Sequence, residues 1–544
     1  MNAAAMTDED LHLATVWEAV ADAIPDETAL AHGTRSVTWR EFDTRAARLA
    51  AAFAAAGLAS GAKIAIDLHN KPEWLEAFFA AIKIRAVPAN VNYRYLDREL
   101  IHLLRDAEAE AIVFEADFAD RILHLAPELP RLRLFVRVGA DPAAPVPPGV
   151  ADYESLIATH APAARIRRDA GDQYLSYTGG TTGLPKGVMV NLVASVRSIT
   201  YHCEVLGVPP GLEMQHAEAA RHFVRTGTRP VAIPASPLMH STGLGWTALP
   251  TLCFGGQVVT LQGRSFDAHE LLEAIERQGA TIVSIVGDAF ARPVLRALQE
   301  RAAQGRPCHL PGLRQISSAG VAWSADTKAL LFEHLPQVVL FDACGASEGI
   351  TYGFRRYRKG DPLASASFTP APGLLLLDDD GTVLAPDPGR RGLLANTTTA
   401  VGYFNDPDKT ARTYRMIEGV RYAIPGDYGR FEADGTVTLL GRASNTVNTG
   451  GEKVHPEEVE DLMKSYPGVD DCLVFGIPDE RFGMQVAAVV QMRPGAPTDA
   501  AAFAAWLRER IAHYKVPRRV EFSAVPRGPN GKPDYPRARQ LVSA

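Results

Sequence analysis

The stretch Thr178-Gly-Gly-Thr-Thr-Gly-Leu-Pro-Lys-Gly187 directly follows the short apolar run Tyr174-Leu-Ser-Tyr177. Its glycines leave backbone N–H groups open to an anion, because no Cβ blocks the approach. The threonines add hydroxyl donors and Lys186 adds a positive charge, so the stretch has the groups that bind a polyphosphate. The order Pro-Lys-Gly differs from the Gly-Lys-Ser/Thr order of the P-loop in kinases and GTPases. The alternative is a Gly/Thr-rich surface turn, which this density of phosphate-binding residue types disfavours.

Composition limits the class of protein. The chain has 544 residues, of which 47% are hydrophobic and 22% charged, with a net charge of −7. These values are typical of a folded protein and give no basic excess for nucleic acid. No apolar run reaches the ~18 residues of a membrane span, and Met1–Ala14 lacks the pattern of a signal peptide. Five cysteines without CxxC spacing favour neither a disulfide framework nor a zinc site, so we expect a cytoplasmic protein without an integral membrane segment.

Strand and helix patterns alternate over the first 350 residues, which predicts α/β layers with a largely parallel sheet. The predicted strands are Ala62–Asp67, Ala111–Phe114, Leu132–Val138, Gln257–Leu261, Thr281–Val286 and Val338–Phe341. The predicted helices are Pro72–Ile82, Ala268–Gln278 and, near the end of the chain, Ala501–Tyr514. After about Pro370, Asp-Gly turns between apolar runs predict hairpins over 374–384 and 431–440. Residues 207–230 show no clear periodicity.

Further motifs follow the phosphate-binding stretch along the chain. They are Pro237-Leu-Met-His240 with Gly243, Ser317-Ser-Ala-Gly320, Cys344-Gly-Ala-Ser-Glu348, Pro425-Gly-Asp427 with Gly441-Arg442, Asn448-Thr-Gly-Gly-Glu-Lys453 with Pro456-Glu-Glu458, and Pro529-Asn-Gly-Lys532. In this order they resemble the signatures of the adenylate-forming superfamily, which contains acyl-CoA synthetases, luciferases and adenylation domains of peptide synthetases. The resemblance covers nearly the whole chain.

The resemblance implies a two-domain fold. A large N-terminal domain, residues 1–440, would combine layered α/β subdomains with a small β-barrel-like subdomain. A hinge at 441–445 would connect it to a small mobile α+β domain at 446–544. The implied reaction joins a carboxylic acid to AMP with release of pyrophosphate and then transfers the acyl group to CoA. ATP, Mg²⁺ and CoA are the implied cosubstrates and cofactor, and the sequence leaves open whether the protein is a homodimer.

The resemblance also assigns residues to roles. Lys532 would bridge the substrate carboxylate and the α-phosphate, and Glu348 would contact Mg²⁺. The implied nucleotide-binding residues are Thr178, Gly179, Gly180, Thr181, Thr182, Gly183, Lys186, Ala319, Gly320, Asp342, Ala343, Ser347, Asp427, Arg442 and Lys532. The acyl group would meet His240, Gly243 and Gly320. CoA would meet Gly450, Gly451 and Glu452, and Ser444 and Asn445 would form the hinge.

Two departures from the family pattern stand out. The family hinge commonly reads Gly-Arg-x-Lys-Asp, whereas this chain has Gly-Arg-Ala-Ser444-Asn445, and Cys344 occupies a position where tyrosine is common. The uncharged hinge, Ser347 and the run Ile285–Pro293 together resemble a bacterial subgroup that activates fatty, steroid side-chain or ring-degradation acids. They predict a medium- or long-chain fatty acid, or a bulky alicyclic or steroid-type acid, as substrate.

Three other functions compete with this interpretation. An adenylating enzyme that loads a carrier protein would share every motif. A serine esterase would use Ser347, because Gly345-Ala-Ser-Glu-Gly349 fits GxSxG, with His455 or His513 as its base. A non-catalytic nucleotide-binding homologue would explain the altered hinge but not the retained Lys186, Glu348, Asp427 and Lys532.

Overall fold

We describe a computed structural model of the chain. It describes residues 7–139, 145–178, 184–320, 323–442, 445, 447–449, 452–454, 456–479, 483–511, 513–528 and 532–543. The helices are Leu13–Ala23, Trp39–Ala55, Pro72–Lys83, Asp97–Asp106, Ala119–Leu125, Tyr153–Thr159, Leu192–Ser198, Cys203–Leu206, His216–Thr226, Leu249–Cys253, Ala268–Gln278, Gly287–Ala303, Ala325–His334, Pro407–Thr413, Pro456–Lys464, Ala500–Arg508 and Tyr535–Ser543. Leu244–Ala248 forms a π-helical turn.

The largest sheet has a parallel half and an antiparallel half. Its main path runs, in spatial order, through Val383–Leu384, Leu375–Leu377, Arg391–Thr397, Asp427–Phe431, Val437–Arg442, Ser367–Pro370, Ile350–Tyr357, Val339–Ala346, Gln315–Ala319, Ile282–Ile285, Val231–Pro234, Gln257–Thr260, Thr28–His32 and Arg35–Thr38. Tyr414–Ile417 and Val420–Ala423 join it from the side. The strands from Val339–Ala346 to Thr28–His32 are parallel, and those after residue 349 are antiparallel.

A second sheet carries the phosphate-binding stretch. Its order is Ala400–Tyr403, Lys186–Asn191, Gln173–Thr178, Val87–Asn90, Lys63–Asp67, Ala109–Glu115, Leu134–Val138 and Val150–Asp152. The last six of these strands run parallel, whereas Lys186–Asn191 is antiparallel to both of its neighbours. Aromatic side chains fill the core beside this sheet, where the rings of Trp17 and Phe79 meet edge to face at 5.0 Å.

The C-terminal region forms a separate α+β layer. Its strands are Glu452–Val454, Val447–Thr449, Gly483–Met492, Val469–Asp479 and Arg519–Phe522. Helices 456–464 and 500–508 pack on this sheet around Val459, Met463, Phe503 and Leu507. A large α/β part followed by a small α+β part confirms the predicted fold class.

Local chemistry explains why most predicted elements form. Helix Ala268–Gln278 begins where the Asp267 carboxylate accepts the His269 N–H at 2.7 Å, and it ends at Gly279 with φ +62°. The helix predicted over 501–514 is too long, because the observed helix ends at Arg508. The chain then forms a turn in which the Ile511 N–H donates to Leu507 O. Within residues 207–230, where no element was predicted, His216–Thr226 is a helix that buries only one narrow face.

The two parts of the chain meet along helix Pro456–Lys464. This helix packs against strand Val437–Arg442, and Arg292 of the large part donates to Asp470 of the small part at 2.8 Å. Strand Val437–Arg442 continues through Gly441 and Arg442, so the segment proposed as a hinge begins inside regular structure. None of the helices within the described ranges is long and apolar enough to cross a membrane.

Candidate active site

The phosphate-binding stretch connects two paired strands. Thr178 ends one strand and lies opposite Lys186, which begins the next. Gly179, Gly180, Thr181, Thr182 and Gly183 lie outside the described residues. At the base of the stretch, a Cβ on Gly187 would lie 2.8 Å from the Tyr177 ring, so close packing requires glycine there.

Lys186 is held by an acidic partner that the sequence analysis missed. Its Nζ donates to Asp406 Oδ2 at 2.5 Å, and this hydrogen bond is the main reason why the pKa of Asp406 is lowered. Asp406 also caps helix Pro407–Thr413 by accepting the Lys409 N–H. The order Asp-Pro at a helix start is a signal that could have found this residue. The half-exposed pair places the lysine charge beside the phosphate-binding stretch.

Glu348 is a buried carboxylate with one oxygen bound and one unused. Tyr403 Oη donates to its Oε1 at 2.6 Å, whereas its Oε2 is buried without a hydrogen-bond partner in the described structure. Burial and the Glu348 charge raise the pKa of Tyr403 well above its usual value, so the phenol remains a donor. A buried carboxylate oxygen without a donor is the ligand that a hard divalent cation requires. Glu348 therefore fits a Mg²⁺ ion that is otherwise bound by phosphates and water.

Asp427 is held in the same way by another tyrosine. Tyr352 Oη donates to its Oδ2 at 2.6 Å, and both side chains are buried. Burial, followed by the charge of Asp427, raises the pKa of Tyr352 far above its usual range. Asp427 begins its strand directly after Gly426, whose φ is +98°. The turn and the tyrosine fix the orientation of the carboxylate, and its contact with the ribose stays a prediction.

The candidate adenine-side residues lie on neighbouring strands, where Ala319 is paired with Ala343. Asp342, which is predicted to border the adenine, directs its side chain into a contact inside the protein. Its buried carboxylate accepts from Lys328 Nζ at 2.7 Å, and burial raises its pKa to about 6 against the effect of the lysine. Its carboxylate therefore belongs to an ion pair inside the protein.

Gly243 and Gly320 bring the acyl and adenine segments together. A Cβ on Gly243 would lie 2.3 Å from Pro237 O, so only glycine allows this turn. Gly320 has φ +88°, and a Cβ there would lie 3.9 Å from Thr242 Oγ1. Asn90, which the sequence analysis missed, ties the same region to the phosphate strand: its Nδ2 donates to Met239 O at 2.6 Å and to Tyr177 O at 2.9 Å.

His240 lies where the acyl segment meets the late lysine. Its Nε2 is buried without a hydrogen-bond partner among the described residues. Burial lowers its pKa to about 3, and the positive charges of Lys532 and Arg94 contribute further. The imidazole is therefore neutral and unsuited to act as a base at neutral pH. The chain also brings Lys532, 292 positions later in the sequence, to the acyl segment. Arg94, directly beyond strand Val87–Asn90, was not predicted.

Ser347 has the wrong surroundings for an esterase nucleophile. It lies in the turn of an antiparallel hairpin, between Ala346 and Ile350, which are paired. A nucleophile elbow instead requires a turn from a strand into a helix. The esterase alternative is therefore wrong, and half-buried Ser347 lies next to the Glu348 carboxylate.

The remaining predicted residues belong to the C-terminal region. Gly450, Gly451 and Ser444 lie outside the described residues. Glu452 begins strand Glu452–Val454, and Arg442 is paired with Asp427 across neighbouring strands. Asn445 Nδ2 donates to Tyr535 Oη at 3.4 Å, which links the hinge to the last helix.

Comparisons with known proteins agree with this geometry. A family model for AMP-binding enzymes matches residues 17–401, and one for the AMP-binding enzyme C-terminal domain matches residues 458–532. The chain is 37% identical to a 3-oxocholest-4-en-26-oate–CoA ligase of Rhodococcus rhodochrous, over 96% of this chain and 95% of the relative. It is also 37% identical to a medium/long-chain-fatty-acid–CoA/3-oxocholest-4-en-26-oate–CoA ligase of Mycobacterium tuberculosis, over 98% and 96% of the two chains.

The fold of the chain also matches that of a solved CoA ligase. The crystal structure of the anthranilate CoA ligase AuaEII with anthranoyl-AMP superposes with a TM-score of 0.83 at 23% identity, over 99% of both chains. These findings confirm the predicted AMP-forming acid–thiol ligase class. The chain belongs to the AMP-binding enzyme family, which is the adenylate-forming superfamily that its motifs predict.

Proposed function

We propose that the protein is an ATP-dependent acyl-CoA synthetase. It joins a carboxylic acid to AMP and then passes the acyl group to the thiol of CoA. The observation that carries the proposal is that the positive charges of Lys532 and Arg94 both act on buried His240 of the acyl segment and lower its pKa. Two positive charges at the end of the acyl segment suit a step in which two anions must approach each other.

In the first half-reaction, a carboxylate oxygen attacks the α-phosphorus of ATP. A new P–O bond forms, the bond between the α-phosphorus and the bridging oxygen breaks, and pyrophosphate leaves with that oxygen. Lys532 offsets the repulsion between the carboxylate and the α-phosphate. Lys186 would supply a further positive charge to the phosphates, and Asp427 would accept hydrogen bonds from the ribose hydroxyls.

Glu348 would hold Mg²⁺ through its unused oxygen, as Tyr403 fixes the other one. Bound there, the ion would neutralise phosphate charge during pyrophosphate departure. The described residues contain no cluster of three or more His, Cys, Asp or Glu arranged for a metal. The remaining ligands would therefore come from phosphates and water.

In the second half-reaction, the CoA sulfur attacks the acyl carbonyl carbon. A C–S bond forms, the bond from the carbonyl carbon to the AMP oxygen breaks, and the thiol proton passes to solvent. We assign the approach of the pantetheine arm to Gly450, Gly451 and Glu452, because glycine permits close contact with backbone. Turning about Ser444 and Asn445 would withdraw Lys532 and bring these residues inward.

The substrate we propose is a medium- or long-chain fatty acid or a bulky alicyclic or steroid-type acid. The support is the printed activity of the relatives from Rhodococcus rhodochrous and Mycobacterium tuberculosis. The cytoplasm is the location we infer, because the five cysteines lack a paired spacing.

The test is AMP formation from ATP, Mg²⁺ and CoA with a panel of short, medium, long, aryl, alicyclic and steroid acids. We expect AMP with one class of acid, and a loss of about 10²–10³-fold in Lys532→Ala. The variant should retain thioester formation from a preformed acyl-AMP, since Lys532 acts in the first half-reaction. Lys359→Ala, which removes an exposed lysine, is the matched control.

Other outcomes would change the assignment. Pyrophosphate exchange without CoA-dependent turnover would replace CoA by a carrier protein. Absence of exchange with every acid would leave the non-catalytic homologue.

A further inference from the structure

A small cavity lies directly beyond the acyl segment. It is enclosed by the π-helical turn Leu244–Ala248, helix Leu249–Cys253, strand Gln315–Ala319 and the end of the short helical turn at 199–202. Trp246 lines it three residues after Gly243, and Ser317 lines it two residues before Ala319. Because the cavity shares both segments with the acyl and adenine sides of the site, the far end of a bound acid would point toward it.

The cavity wall is mixed in character. Trp246 and Phe341 form an aromatic side, with ring centroids 6.2 Å apart. Polar groups come from His202, Gln315 and Thr251. Gln315 Nε2 donates to Ser317 Oγ at 2.6 Å, which fixes the orientation of its amide.

His202 is the unusual member of this wall. Both of its ring nitrogens are buried, and neither has a well-formed hydrogen bond within the described structure. The ring packs edge to face against Trp246 at 5.0 Å, which fixes its plane. Buried polar atoms are normally hydrogen-bonded, so an imidazole left in this state indicates that something else supplies its partner.

The charge of His202 narrows the class of partner. Burial lowers its pKa to about 4, and a polar contact with the Ile199 backbone, weaker than a well-formed hydrogen bond, only partly opposes the shift. The ring is therefore neutral near pH 7 and can donate from one nitrogen and accept at the other. A neutral imidazole suits a hydroxyl or a ketone oxygen rather than a second carboxylate.

The size of the cavity further limits the class of ligand. The cavity measures about 20 Å³, which is room for about one water-sized group. It can take the oxygen of a terminal substituent, whereas a chain of several methylenes would not fit.

We infer that His202 determines specificity by binding a neutral oxygen substituent, a hydroxyl or a ketone, at the end of the acid remote from its carboxylate. The inference rests on the proposed function and refines its substrate class. The preferred acids carry such an oxygen on the distal ring or chain end, and their unsubstituted counterparts are poorer substrates.

The experiment compares matched pairs of acids on the same carbon skeleton. The pairs are 4-hydroxybenzoate and benzoate, 4-oxocyclohexanecarboxylate and cyclohexanecarboxylate, 12-hydroxydodecanoate and dodecanoate, and a 3-oxo steroid acid with its 3-deoxo form. For wild-type protein we expect kcat/KM to favour the oxygenated member of at least one pair by about tenfold, as for one buried hydrogen bond. The preference should be equal at pH 6 and pH 8, because His202 stays neutral at both.

Three variants separate recognition from folding. In His202→Leu the ratio for the favoured pair should fall to about one, because kcat/KM for the oxygenated acid falls more than kcat/KM for the unsubstituted acid. In His202→Gln, which keeps a donor and an acceptor, part of the preference should return. His124→Leu, which removes an exposed histidine on helix Ala119–Leu125, should behave as wild type. If His202→Leu does not fold, the wild-type ratios and His202→Gln still decide.

A ratio below about twofold in every pair, or a preference unchanged in His202→Leu, would overturn the inference while AMP formation continues. Absence of AMP with every acid would instead remove the proposed function, and the inference with it.

Discussion

The nucleotide side and the acyl side of this site treat their polar groups differently. On the nucleotide side, tyrosines fix two carboxylates, Tyr403 for Glu348 and Tyr352 for Asp427, and one Glu348 oxygen is left for a metal ion. On the acyl side, the buried nitrogens of His202 and the Nε2 of His240 lack well-formed hydrogen bonds within the described residues. ATP is the same in every turnover, so its site can be organised in advance. The acyl wall instead leaves hydrogen-bonding capacity for the acid.

Removing the charge of Glu348 should have the largest effect on this organised side. We expect Glu348→Gln to lower kcat by about 10²–10³-fold and to raise the Mg²⁺ concentration that is needed, because the amide is a weaker ligand for a hard cation. The measurement is ATP–pyrophosphate exchange across a Mg²⁺ titration. Glu333→Gln, at an exposed carboxylate, is the matched control. Exchange within about threefold of wild type would remove Glu348 from the metal-binding role.

Removing one tyrosine hydroxyl should have a smaller effect. Tyr352→Phe deletes a hydrogen bond to the buried Asp427 carboxylate, and bonds to charged groups contribute about 1.5–3 kcal/mol. We expect KM for ATP to rise about tenfold with a smaller change in kcat, since the ribose loses its oriented acceptor. AMP binding by calorimetry should weaken in parallel.

Tyr357→Phe provides the matched control on the same strand. It loses a hydrogen bond to the Ala364 carbonyl and leaves the bond between Tyr352 and Asp427 in place. Its KM for ATP should remain within about twofold of wild type. Equal effects in the two variants would mean that Tyr352 contributes general stability only.

The same contrast explains what the sequence could predict. Local motifs identify Lys186, Glu348 and Asp427, and periodic patterns identify the helices at 72–82 and 268–278. Each of these signatures lies within a few consecutive residues. Contacts with residues distant in the chain give Tyr352, Tyr403 and Asn90 their roles, so no local spacing identifies them. Asp406 has a local signal, its place before Pro407 at a helix start, but that signal does not reveal its bond to Lys186. Asp342 combines both cases: its place beside Ala343 follows from the local motif, whereas its bond to Lys328 depends on tertiary packing.

The acyl wall was the least predictable part. His202 is the last residue of the short helical turn Ile199–His202, and the cavity residues Trp246 and Gln315 lie 44 and 113 positions later in the sequence. Only the fold shows that these residues enclose one cavity. The specificity of the enzyme therefore has to be derived from side-chain contacts.

The smallest expected effect concerns the contact between the two parts of the chain. Glu457 packs against Gly441 so closely that a Cβ there would lie 1.9 Å from its Oε2, and this oxygen is buried without a partner among the described residues. Burial raises the pKa of Glu457 to about 8, and the charges of Glu460, Asp427 and Asp461 add to the shift. The carboxyl group is therefore protonated at neutral pH while helix Pro456–Lys464 packs against strand Val437–Arg442. We call this arrangement docked, and the arrangement in which the two parts have separated released.

The sign of the pH dependence follows from this raised pKa. Below the ordinary value of 4.5, Glu457 is protonated both docked and released, so docking is fully stable with respect to this group. Between pH 4.5 and about 8, the released group ionises while the docked group stays protonated, so docking weakens as pH rises. Asp427 of the nucleotide side is one of the charges that act on Glu457. We therefore expect the nucleotide side to separate from Lys532 more readily at alkaline pH.

We expect the apparent Tm of wild-type protein to fall by a few degrees between pH 6 and pH 9, and to fall less in Glu457→Gln, which cannot ionise. Glu458→Gln is the matched control on the same helix: it loses its bond to Lys515, so its Tm should be lower at every pH with the wild-type slope. In the proposed mechanism, adenylation needs the docked Lys532, whereas thioester formation needs its withdrawal. Glu457→Gln should therefore flatten the alkaline decline of pyrophosphate exchange, and identical pH profiles in all three proteins would remove Glu457 from control of the hinge.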